Sequence, residues 1–149
     1  MKRSQRMLPV RKLKEQEERT FARKFAQAQQ QVEQEKQQLS MLENYQRDYF
    51  ANISSQQTQH TGVSLSATQL DKYQLFLGRL HTAIENQQQV LVIKEAALKV
   101  AREQWAAANA RLKALDSLIA NIKAEEAQMQ DKQEQRLIDD LPLRSNRYD

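Results

Sequence analysis

Histidines, thiols, glycine-rich turns and convergent carboxylates carry most protein chemistry, and this chain has few of them. Its 2 histidines are His60 and His81, its 2 glycines are Gly62 and Gly78, and it has no cysteine. Neither histidine has the H-x-x-x-H spacing that sets two metal ligands on one helical face, so both read as surface residues. Phosphate- and dinucleotide-cradling loops need several glycines within one turn, which two isolated glycines cannot supply. Glu125 with Glu126, and Asp139 with Asp140, are adjacent acids that diverge on a helix, whereas general acid–base work needs carboxylates converging in a cleft. No catalytic, cofactor-binding or metal-ligating residue emerges, and the chain reads as a non-enzyme without cofactor.

Binding chemistry is better represented. Lys2, Arg3, Arg6, Arg11, Lys12 and Lys14 all precede the first acid, Glu15, in a chain of net charge +4. Such a block is either a solvated end or a contact for an anionic partner. Single-strand nucleic-acid binders interleave basic residues with stacking aromatics. This block has no aromatics, and Phe21, Phe25, Tyr49 and Trp105 fall instead at core spacing. Residues 1–10 lack the apolar run of a signal peptide, and no stretch approaches the roughly 20 apolar residues of a membrane span. Absence of cysteine fits a reducing compartment. The expectation is a soluble cytoplasmic chain with no direct membrane insertion.

The elements that must carry these residues are long helices. With only 2 glycines and 2 prolines, 28% charged residues and 6% aromatics, burial has to run along a narrow seam. Steps of four and three residues from Phe21 give Phe25, Ala28, Val32, Glu35, Leu39, Leu42, Gln46, Tyr49 and Ile53, the 3.5-residue repeat of a coiled coil. Val10 and Leu13 lie off this frame, and Pro9 suits a first helical position, so helix one is expected over about 9–53. Residues 54–65 form a polar connector. Ser66 and Gln69 have capping-box spacing, flanked by Leu65 and Leu70 as a hydrophobic staple.

Helix two is expected over about 66–140, ending before Pro142, with 141–149 as a tail. Its seam runs without a skip from Leu70 through Tyr73, Leu77, Leu80, Ile84, Gln87, Leu91, Lys94, Leu98, Ala101, Trp105, Ala108, Leu112, Leu115, Ile119, Ile122, Glu126, Met129 and Gln133 to Arg136. The fold class is all-α: a single-domain antiparallel two-helix coiled-coil hairpin, helix two the longer, about 105 Å at 1.5 Å per residue. A bend near His60 pairs residues whose numbers total about 122, setting Val10 against Leu112 and Phe21 against Ala101.

Two apolar surpluses follow. Leu118, Ile119, Ile122 and Met129 outrun helix one and lack an intramolecular partner, forgoing about 1.5–3 kcal/mol each. A second stripe of Phe76, Leu80, Ala83, Gln87, Val90 and Ala97, joined by Ile93 and Val100, lies beside the first. It is either a wide core face or a protein-docking site. The polar seam residues Gln87, Lys94, Glu126 and Gln133 either select register or loosen the coil.

Local sequence adds a resemblance. Leu42-Glu43-Asn44-Tyr45-Gln46-Arg47-Asp48-Tyr49 ahead of the bend resembles the flagellar export protein FliJ family, as do Tyr73-Gln74-Leu75-Phe76-Leu77 and Ala83-Ile84-Glu85 after it. Trp105, Arg111-Leu112 and the stretch from Gln133-Glu134-Gln135 to Asp140 are similar too. The resemblance covers nearly the whole chain. It implies a two-helix coiled coil similar to the central stalk of rotary ATPases, acting at the cytoplasmic face of the inner membrane. Its implied partners are the export ATPase FliI, whose ring pore would take the joined helix termini, the export gate FlhA, and flagellar export chaperones. The family's gate-contacting positions fall on Phe76, Leu80, Ala83 and Gln87, with glutamine where a relative has histidine. No residue is assigned to the ATPase ring. Two alternatives stay open: a stalk protein of a virulence type III secretion system, and a basic coiled coil binding nucleic acid. A monomer is expected.

Overall fold

The structure, a computed structural model, describes residues 1–59 and 67–145, with side chains from 1–55 and 67–141. Three helices account for all of them but Met1, Lys2 and Met7: α1 (Arg3–Arg6), α2 (Leu8–Gln59) and α3 (Ala67–Ser145). Among the described residues there is no strand. The fold is a helical hairpin whose second long helix, of 79 residues, exceeds the first, of 52.

The long helices overrun their expected ends. Residues 54–59 continue α2 because glutamines lose little rotamer freedom in a helix and no glycine or proline occurs before Gly62. The remaining connector residues, with Leu65 and Ser66, lie outside the described residues. α3 passes through Pro142 to Ser145. Proline removes the donor for the Ile138 carbonyl, but Ile138 is exposed, so water can satisfy that group.

The chain divides into two compact units, one of Met1–Ala22 with Gln104–Asp149 and one of Arg23–Glu103. In each, a length of α2 runs antiparallel to a length of α3. In the unit of Arg23–Glu103, every seam position from Phe25 to Ile53 is buried or half-buried, as is every one from Tyr73 to Ala101. Val32, Leu80 and Ile84 are the deepest. The register estimate of 122 holds here, with Glu35 bonded to Gln87 and Tyr49 packed on Tyr73.

The unit of Met1–Ala22 and Gln104–Asp149 departs from expectation. Arg11 meets Asp116 and Ser4 meets Glu126, totals of 127 and 130, so Val10 is not the residue held against Leu112's neighbourhood and is instead exposed. Stepping the frame backwards from Phe21 explains why. It lands on Glu18, Lys14, Arg11, Met7 and Ser4, all buried or half-buried, while Val10 and Leu13 face outward. The helical chain therefore starts at Arg3 rather than Pro9, with a seam of polar residues. This corrects the overhang. Ile119 and Ile122 are 5% and 4% exposed, and only Leu118 and Met129 of the expected surplus remain exposed.

Candidate protein-docking surfaces

Within the unit of Arg23–Glu103, three aromatic rings meet between the later part of α2 and the early part of α3. Tyr49 contacts Tyr73 edge-on at 5.4 Å between centroids and Phe76 at 4.5 Å. Such pairs add about 0.5–1.5 kcal/mol to simple burial. Loss of hydration, with Tyr73 nearby, pushes the Tyr49 hydroxyl above its ordinary pKa. Phe76 still leaves 46% of its surface in water.

The four expected gate-contact residues do not form one surface. Leu80 is 8% exposed and fills the seam. Gln87 is half-buried, and its amide Nε2 donates to the Glu35 carbonyl at 3.1 Å and to its carboxylate at 2.5 Å. The seam frame explains both, since each is a stepping position that faces α2. Phe76 and Ala83 stand one position off the seam on its flank, the first exposed and the second half-buried. The same flank continues into the exposed Ile93 and Val100, while the exposed Val92 follows the seam residue Leu91 and faces away from it. A shallow hollow lined by Glu85, Gln88, Gln89, Val92 and Ile93 lies on the outward side of α3, away from Phe76 and Ala83. The second stripe is therefore divided: Leu80 and Gln87 face α2 in the seam, Ala83 and Val90 are half-buried beside it, and Phe76, Ile93, Ala97 and Val100 are exposed. His81 also lies on this helix, with Nε2 3.0 Å from the Glu85 carboxylate.

The other unit presents polar clasps and a separate apolar end. Arg11 donates from Nε to Asp116 at 2.5 Å and from Nη1 to Glu15 at 3.0 Å, and Arg19 donates to the same Glu15 at 2.7 Å. The bond to Asp116, and then its charge, raises the Arg11 pKa above its ordinary value. Trp105 donates its indole N–H to Glu18 at 2.9 Å. Ser4 donates both its N–H, at 3.0 Å, and its hydroxyl, at 2.7 Å, to the two carboxylate oxygens of Glu126. Apolar reading of the sequence missed Ser4, Arg11 and Glu18, although the backward steps from Phe21 reach each of them. Beyond Glu126, Met129, Leu137, Ile138 and Leu141 are exposed on α3.

Among the described residues, no group of three or more histidines, cysteines or acids could hold a metal ion. No helix among them is long and apolar enough to cross a membrane. Two of the six leading basic residues, Arg11 and Lys14, are ion-paired within the chain, which leaves less of that block to neutralise phosphates.

These long paired helices, bound by a 3.5-residue seam, match the family described as Flagellar FliJ protein over residues 2–147. The chain belongs to the FliJ family. No curated protein and no solved structure matches it. Membership makes the chain a component of flagellar protein export and favours that assignment over the virulence-system alternative.

Proposed function

We propose that this FliJ-family chain is a non-catalytic, cytoplasmic adaptor that works as a single folded-back molecule. It links the export ATPase FliI to the export gate FlhA and binds flagellar export chaperones. Family membership supports the setting. The observation that carries the docking role is the exposed flank of α3, where Phe76, Ile93 and Val100 stand in water beside a seam already filled by Leu80 and Ile84. Soluble chains rarely leave apolar side chains clustered along one face unless something else covers them. Phe76 and Ala83 are the gate-contacting residues in this reading, and Leu80 and Gln87 hold α3 in the register that presents them.

The test is a pull-down with the purified cytoplasmic domain of the gate. Phe76→Asp combined with Ala83→Asp is expected to weaken capture by at least about tenfold, the effect of losing a single interface anchor, with helicity by circular dichroism unchanged. Capture equal to that of the unaltered chain would remove this flank as the gate site.

A further inference from the structure

The first helical turn is joined to the rest of α2 by a weak point. α1 ends at Arg6, Met7 caps it, and α2 begins at Leu8. Pro9 has no N–H to give the Gln5 carbonyl, and its ring works against helical backbone just before it. A helix of four residues has no stability of its own. What holds α1 in place must therefore be its contacts with α3.

One contact dominates. Ser4 is 4% exposed, and both its donors end on the carboxylate of Glu126. Lys2 and Lys123 are the charged neighbours of that carboxylate. Bonds to an ionised acceptor are stronger than neutral ones, and a partner stripped of its acceptor while buried is costly. The seam residues preceding Glu126 are Ile122 and Ile119, among the most buried side chains of this unit. With Ser4 on Glu126 and Arg11 on Asp116, the stretch lying across from these isoleucines is the one joining α1 to α2.

We propose that α1 is a latch. Closed by Ser4 and Glu126, it seals Ile122 and Ile119; released, it bares them as an apolar end while the seam from Leu77 to Leu91 stays paired. Both isoleucines then join Leu118 and Met129, already exposed on the same stretch of α3, in one larger apolar surface. This device depends on no partner named above.

Hydrogen–deuterium exchange on the full chain tests it. Ser4→Ala is expected to speed exchange across residues 119–126 by about tenfold or more, the scale on which a charge-assisted contact shifts local opening. Exchange over 77–91 should stay at the unaltered rate. Glu126→Gln, which takes the charge from both Ser4 bonds, should also speed exchange in the same residues. Unchanged exchange over 119–126 in Ser4→Ala would overturn the latch. So would a rise of equal size over 77–91, which would make the contact one of general stability.

Discussion

Gly78 lies well inside α3, and a Cβ built there would meet nothing within 4 Å. Helical glycine costs about 0.5–1 kcal/mol relative to alanine, chiefly in unfolded-chain entropy. Gly78→Ala is expected to raise stability by about that amount, read as a higher thermal midpoint. A fall would mean that the position needs the missing side chain. Glu126 makes a second case at this scale. The Ser4 N–H, then its hydroxyl, holds this carboxyl below its ordinary value of 4.5. A depressed carboxylate stabilises the fold fully above its unfolded pKa, and that contribution disappears as pH falls through the folded pKa. Stability should therefore decline on acidification below about pH 4.5, and less steeply in Glu126→Gln, as pH-jump melting curves would show. The candidate gate residues were only half legible in the sequence. Their types and spacing marked a stripe, but Leu80 and Gln87 serve the seam and the stripe alike on a helical wheel. Only the Gln87–Glu35 bond and the burial of Leu80 show which use prevails.

The seam was the most legible feature of the helices. From Phe25 to Ile53 and from Tyr73 to Glu126, each residue reached by three- and four-residue steps is at least half-buried. That regularity is a property of helix geometry and survives polar interruptions. What apolarity concealed was the seam's continuation through Ser4, Arg11 and Glu18, because hydrogen bonds to Glu126, Asp116 and Trp105 replace apolar contact there. Helix ends were less legible. Pro142 is a weaker stop where water can serve the freed carbonyl, and a polar, glutamine-rich stretch extends α2 rather than ending it. The division of α3 into seam and flank yields a contrast. Leu80→Ala should cost about 2–5 kcal/mol through the cavity it leaves. Val92→Ala, 65% exposed, should stay within about 0.5 kcal/mol. Denaturant melts of the two variants would compare them directly, and equal losses would mean that Val92 is covered.

Across the whole molecule, 149 residues carry a net charge of +4 and build two compact units from the same two long helices. Each leaves apolar residues exposed: Phe76, Ile93 and Val100 beside the filled seam of one, and Leu137 and Ile138, with the seam residue Met129, in the other. A folded-back helix can cover one stripe of its neighbour, about the width of a coiled-coil seam. Whatever lies beyond that stripe is available to partners, which is the physical content of assigning the chain a binding role in flagellar export. Hydroxyl-radical footprinting of the isolated chain tests this most directly. Phe76 and Ile93 should oxidise several-fold more readily than Leu80 and Ile84, and adding the gate domain should protect Phe76. Phe76 and Ile93 as resistant as Leu80 in the isolated chain would contradict the account.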